Sequence, residues 1–177
     1  MKMVIYSEKF KKAVEFVMNN EGGYVFDKND LGGATKYGIS QRSYPSLNIK
    51  ELQREAAIKI YYCDYWLKGK FEQIPDENVA TKLFDFSVNF GQRASTIVLQ
   101  RALRSTGIKV QEDGVLGSQT LSATIFCCNP ESTENRAKML MVALKSEAAG
   151  YYRSIVAKNP SQQKFLNGWL NRAYRDV

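Results

Sequence analysis

The sequence predicts a mainly α-helical fold, a bundle around one central buried helix with a small β-hairpin flap near residues 24–40. Three observations carry this expectation. Apolar residues recur at i, i+3, i+4 and i+7 in successive segments, the spacing of one helix face. The segment 77–90 is apolar over most of its surface and so belongs at the centre. Between residues 21 and 40 the helical pattern gives way to an irregular run of carboxylates, glycines and a threonine, flanked by Tyr, Val and Ile. With 177 residues and no repeats, low-complexity runs or long linkers, the chain is expected to form one compact body.

Ser7 is the expected N-cap of a first helix, Glu8 to Asn20, whose stripe is Phe10, Ala13, Val14 and Val17. Glu21 comes eleven residues after Phe10 and falls on the same face at about 100° per residue. Gly22 and Gly23 then stop the helix. Burial and the negative end of the helix dipole both disfavour an ionised carboxylate there, so Glu21 is suited to hold a proton and to act as a general acid. From Tyr24 to Ser40 the glycines and Asn29-Asp30 read as turns, and Tyr24-Val25 can pair with Tyr37 to Ile39 as a hairpin. Asp30 is either a turn-forming residue or a second functional carboxylate, with Asp27 its neighbour and rival.

Asn48 and Glu51 have the spacing of a capping box, which predicts a second helix with Ile49, Leu52, Ala56, Ile60, Cys63 and Leu67 along one face. Its aromatic end, 61–66, is either core or a ligand-stacking platform, with Tyr65 and Trp66 the candidates for contact. Asp76 is expected to cap the central helix, in which Val79, Leu83, Phe86 and Phe90 form one stripe and Ala80, Phe84 and Val88 widen it. Asp85 and Asn89 are its polar exceptions, either satisfying neighbours or lining a groove. From Gln92 onward the pattern changes to a shorter unit, 99–103, then an Asp113-Gly114 turn, and a helix from Ser118 to Phe126. Asn129-Pro130 and Asn159-Pro160 bracket a long helix from Ser132 toward Lys158, loosened at Gly150, before a last helix bearing Phe165, Trp169 and Tyr174.

A net charge of +7 favours polyanionic partners: nucleic acid, acidic lipid surfaces or a bacterial envelope. The absence of histidine excludes Ser-His-Asp and Cys-His machinery, so acid-base work falls to carboxylates. Zinc is not expected, since no pair of Cys-x-x-Cys clusters exists, and Cys63, Cys127 and Cys128 read as reduced core thiols. No apolar run is long enough to span a bilayer, and 1–10 lacks the apolar core of a secretory signal.

The run EGGY, then Asp30, Gly32-Gly33, Thr35 and Tyr37-Gly-Ile-Ser, resembles the glycoside hydrolase family 108 lysozymes, peptidoglycan muramidases also labelled secretion activator proteins. The order Glu, Asp, Thr is also similar to phage-type lysozymes. The resemblance implies a lysozyme-like α+β fold, Glu21 as general acid, and Asp30 and Thr35 positioning or activating water, with Tyr24, Tyr37, Asn89, Tyr65 and Trp66 contacting substrate. The Asp-to-Thr gap is one residue shorter than in the phage type, and Leu31, Ala34 and Lys36 stand where the family has proline, proline and asparagine. DFSVNFG, 85–91, resembles the family's Asp…Asn-x-Gly segment. LQxxL at 99–103 followed by DGxxGxxT at 113–120 resembles the peptidoglycan-binding domain that follows it, and 165–172 resembles its closing segment. What this implies is a catalytic region over 1–91 and a helical wall-binding region over 92–177.

The expected activity is hydrolysis of the β-1,4 bond between N-acetylmuramic acid and N-acetylglucosamine, without a cofactor. Peptidoglycan glycan strands are the expected partner, and the chain is expected to be a monomer with neither a nucleic-acid partner nor membrane insertion. Synthesis in the bacterial cytoplasm, then release to the wall by a holin or another route, is the matching expectation for an endolysin. The alternatives are a lytic transglycosylase, a non-enzymatic peptidoglycan-binding accessory to secretion and, last, a basic nucleic-acid-binding module.

Overall fold

A computed structural model of the protein describes residues 5–20, 35–131 and 135–177. These contain seven α-helices: α1 Glu8–Asn20, α2 Arg54–Ile60, α3 Glu77–Phe90, α4 Gln92–Ser105, α5 Ser118–Cys127, α6 Arg136–Lys158 and α7 Leu166–Tyr174. One antiparallel ribbon, β1 Thr35–Lys36 with β2 Ile39–Ser40, accompanies them. The mainly α expectation holds.

α1 begins where expected: the Ser7 hydroxyl accepts the Phe10 amide at 3.1 Å. Its predicted stripe, Phe10, Ala13, Val14 and Val17, is buried throughout. α3 is the central helix, capped by Asp76 Oδ1, which accepts the Val79 amide at 2.8 Å. Every residue from Val79 to Ser87 is buried, so helices must cover it on all sides, and α1, α4 and α6 do so. Phe84 is the aromatic hub, with the rings of Phe10, Tyr61, Trp66 and Phe71 around it at centroid distances of 5.3–6.1 Å. Gly91, at φ 88°, turns the chain into α4. α6 packs along α4 and α7, and the contacts of α3 with α4 and α6 join the two halves of the chain.

The second helix differs from its expectation. Asn48 makes no side-chain cap, and a 3-10 turn, Ile49–Glu51, precedes extended Leu52 and Gln53 before α2 starts at Arg54. The chain then widens into a π-helical turn, Tyr61–Trp66, closed by a bond of 3.0 Å from the Leu67 amide to the Tyr62 carbonyl. A wider turn brings residues five apart onto one side, so Tyr61 and Trp66 both enter the core. The predicted face is rotated accordingly: Ala57 is buried while Ala56 and Cys63 are exposed, and Leu67 is half exposed. Cys63 is therefore no core thiol, whereas Cys127 and Cys128 are, with burial pushing the Cys128 thiol up to about 12.

Two further boundaries move. α6 starts at Arg136, with the expected start Ser132 outside the described residues, and it runs unbroken through Gly150. Phe165 ends a 3-10 stretch, Pro160–Phe165, that precedes α7.

Candidate active site

α1 stops at Asn20, and Glu21, Tyr24 and Asp30 lie outside the described residues, as does the Tyr24-Val25 half of the expected hairpin. What the described residues supply is the frame around that stretch. α1 and α3 lie side by side and run the same way. Lys9 Nζ reaches the Ile74 carbonyl at 2.9 Å, Lys12 pairs with Glu77 at 3.1 Å, and Phe16 faces Lys82, its ring 5.7 Å from the ammonium. The exit of α1 therefore lies toward the C-terminal end of α3, where Asn89 sits.

The other boundary of the stretch is the ribbon. Thr35, half-buried, opens β1 and pairs with Ser40. Tyr37 is not in a strand, as the sequence suggested, but in the two-residue turn, where it and Gly38 have φ of 53° and 72°. Positive φ at both central residues matches the right-handed twist of a tight hairpin, at a steric cost for a tyrosine. Tyr37 is held on both sides: the buried Tyr61 hydroxyl donates to its carbonyl, and the Lys36 ammonium lies 5.5 Å from its ring while donating to the Lys50 carbonyl at 3.1 Å.

The π turn forms the floor beside this ribbon. Widening a helix misaligns its carbonyls, and Gln92 compensates by donating from Nε2 to the carbonyls of Asp64 and Tyr65, each at 3.2 Å. Asp64 accepts from the Tyr44 hydroxyl at 2.9 Å and from Lys68 at 3.0 Å. The Lys68 bond holds the Asp64 carboxyl below the usual range, while burial and then the Asp64 bond push the Tyr44 phenol upward. An ionised Asp64 committed to two donors is a structural carboxylate, unsuited to giving up a proton. Tyr65 is half-buried with its ring 5.9 Å from that of Tyr61. Tyr37 and Tyr65 are thus gathered through Tyr61. Trp66 is not with them: it is fully buried, its indole donating to Glu72 at 3.0 Å, which corrects its assignment as a sugar platform.

Asn89 occupies a second wall. Its Oδ1 accepts the Tyr152 hydroxyl at 2.6 Å, and it lines a polar groove of about 650 Å³ together with Trp169, Asn171, Arg172, Tyr174 and Arg175 of the last helical segment. Asp85, the other polar exception on α3, is fully buried and paired with Arg172 at 2.8 Å. Sequence reasoning missed the α7 residues as groove formers. The available signal was the alternation of aromatics and amides in 165–172, read only as a closing segment. Among the described residues no group of three or more acidic or thiol side chains converges as a metal site, and no helix is long and apolar enough to cross a membrane.

Residues 14–91 match the family model described as Glycosyl hydrolase 108, and residues 93–174 match the Predicted Peptidoglycan domain. No curated protein matches the chain. Among solved structures, that of SagA from Brucella abortus superposes with a TM-score of 0.67 at 25% identity, over 93% of this chain and 92% of that one. Residues 14–91 are thus a segment of the glycosyl hydrolase 108 type, and a predicted peptidoglycan domain follows it.

Proposed function

We propose that the protein is a muramidase that cleaves the β-1,4 bond between N-acetylmuramic acid and N-acetylglucosamine. The glycosyl hydrolase 108 segment and the predicted peptidoglycan domain support a glycoside hydrolase acting on peptidoglycan. The observation that carries the finer reading is the buried face of α1, which runs through Phe10, Ala13, Val14 and Val17 to a helix end one residue before Glu21. A carboxyl delivered by an apolar face at a helix C-terminus is favoured in its protonated form. In this reading Glu21 protonates the departing glycosidic oxygen, Asp30 positions the attacking water, and Thr35, at the start of the hairpin, assists Asp30. Residues 1–91 then form the catalytic region and 92–177 the wall-binding region of a monomer that reaches the wall from the cytoplasm by a holin or similar release.

Glu21→Gln tests the acid. Lysis of purified walls followed by turbidity should fall by a factor of about 10²–10⁴, with helical circular dichroism and melting cooperativity retained. Substantial lysis by the Gln variant would remove Glu21 from the role. Digestion in ¹⁸O-labelled water tests the second step: label should enter reducing-end muropeptides, and Asp30→Asn should suppress it. Products ending in 1,6-anhydromuramyl groups would identify a lytic transglycosylase instead.

A further inference from the structure

We infer that the face of α7 bordering the Asn89 groove is a subsite for the N-acetylated, acid-bearing sugar strand, so that the second half of the chain builds part of the substrate groove itself. The inference rests on the muramidase reading for the identity of the ligand. The groove rests on geometry alone.

Three observations place α7 there. Lys82 of α3, fully buried, donates to the carbonyls of Arg172 and Arg175 at 2.6 and 2.9 Å, closing the C-terminal end of α7 onto α3. The Asp85–Arg172 pair fixes the same helix one turn further along. Lys82 also faces Phe16, so α1 and the end of α7 converge on a single side chain. α7 therefore runs antiparallel to α3 and brings Trp169 beside Asn89, at the end of the bundle where α1 stops.

The groove's chemistry suits a sugar strand. Tyr174 lines the groove and keeps 49% of its surface exposed. Trp169 is half-buried and packed by two rings, Tyr152 at 5.3 Å with an interplanar angle of 20° and Phe165 at 5.7 Å. Aromatic rings of this kind present an apolar face to the C–H faces of pyranoses. The Tyr152 hydroxyl engages Asn89 Oδ1, which leaves the NH₂ end of that amide for the groove, and the exposed Asn171 adds a second amide. Amides of this kind match N-acetyl groups in both donor and acceptor sense. The chain's net charge of +7 favours the lactyl carboxylates of such a strand. A few convergent polar groups over aromatic walls are the usual make-up of a small-molecule cleft, and a volume of about 650 Å³ lies within the range of such sites.

The test uses the full-length Glu21→Gln protein and a soluble, uncrosslinked tetrasaccharide of alternating N-acetylglucosamine and N-acetylmuramic acid, titrated by tryptophan emission. The chain has two tryptophans, and Trp66 is fully buried, so a saturable change reports on Trp169. Tyr174→Ala and Asn171→Ala should each weaken binding by about tenfold, Tyr174→Phe should stay within about twofold, and melting temperatures should not move. An N-acetylglucosamine tetramer, lacking the carboxylates, should bind more weakly than the muramyl strand. Unchanged affinity in both alanine variants would overturn the subsite, and equal affinity for the neutral tetramer would overturn the assignment of an acid-bearing ligand. The two failures separate cleanly: wall lysis by Glu21→Gln strikes the proposed acid and leaves the groove standing. Loss of lysis in that variant with no effect of the alanine substitutions on binding does the reverse.

Discussion

Among the described residues, two buried polar joints are built from opposite chemistry. In the first, α7 closes on α3 through charge, with Lys82 capping two carbonyls and Asp85 paired with Arg172. In the second, the 113–120 segment closes on α4 through the neutral amide of Gln100, which is fully buried. Gln100 Oε1 accepts the Gly114 amide at 2.9 Å, and its Nε2 is surrounded by Asp113 Oδ1, Thr120 Oγ1 and the Val115 carbonyl at 2.8, 3.1 and 3.3 Å. Gly114 fits the joint for two reasons: its φ is 73°, and a Cβ would lie 2.9 Å from Arg93 Cγ. The first joint spans the two family segments, since Asp85 lies within 14–91 and Arg172 within 93–174, while the second is internal to the latter. The difference teaches that the LQ…DGxxGxxT pattern is a turn-closing device, with its Gln, Asp, Gly and Thr engaged with one another, whereas the contact that positions the α7 groove depends on charged residues outside that pattern.

The largest expected effect breaks the charged joint. Asp85→Ala leaves the guanidinium of Arg172 and the ammonium of Lys82 without their shared anion, and should destabilise by about 3–5 kcal/mol, read as a shift in the denaturant midpoint. The double change Asp85→Leu with Arg172→Met removes both partners and should recover most of that loss, because replacing a buried pair by apolar groups of similar volume is often neutral. A double variant no more stable than Asp85→Ala would mean that packing around α7, and not the loss of the Asp85 charge, dominates.

Breaking the neutral joint should be milder. Gln100→Ala strands the Gly114 amide and removes the donor to Asp113, which should cost about 1–3 kcal/mol and speed hydrogen exchange at Gly114. Because the Val115 amide bond is the main reason the Asp113 carboxyl is held low, Asp113 should stay ionised in this variant. Protection of Gly114 equal to wild type would show that the turn stands without Gln100.

The contrast also explains what could be read from the sequence. The helices and the stripes of α1 and α3 were legible because a 3.6-residue period survives inspection of one segment at a time, and Ser7 and Asp76 announced their caps. The 113–120 turn was legible because Asp-Gly chemistry is local. The π turn was not: nothing in the run from Tyr61 to Trp66 signals an extra residue per turn, and what stabilises it is Gln92, more than 25 residues away. That one shift sent Trp66 inward and Cys63 outward. In the candidate site, the glycine-rich run was legible as turns, but Tyr37 was read as a strand residue and instead occupies the tight turn with Gly38, both at positive φ. The α7 wall was hidden because its position depends on Lys82 and Asp85 finding partners some 90 residues later.

The smallest expected effect separates the joints by pH. Burial lowers the Lys82 ammonium to about 8 from an ordinary 10.5, against the pull of Asp85, while Lys145 and Arg172 push the same way as burial and Asp176 opposes them. Between those two values the unfolded chain carries more protons on this lysine than the folded one, so the stability contributed at Lys82 rises with pH across that window and is flat, at its least favourable, below about 8. Once neutral, the amine can still donate to the Arg172 and Arg175 carbonyls, which is why the cap survives the loss of its charge. Lys82→Met keeps the length of the side chain and cannot titrate. The gap in unfolding free energy between wild type and Lys82→Met should therefore shift in favour of wild type from about pH 8 to about pH 10, by less than the full cost of losing Asp85. The gap between wild type and Gln100→Ala should stay level over the same range, because no group in the neutral joint titrates there. A level gap for Lys82→Met as well would mean that the lysine stays charged in its buried site, held by Asp85, and that the charged joint is as indifferent to alkaline pH as the neutral one.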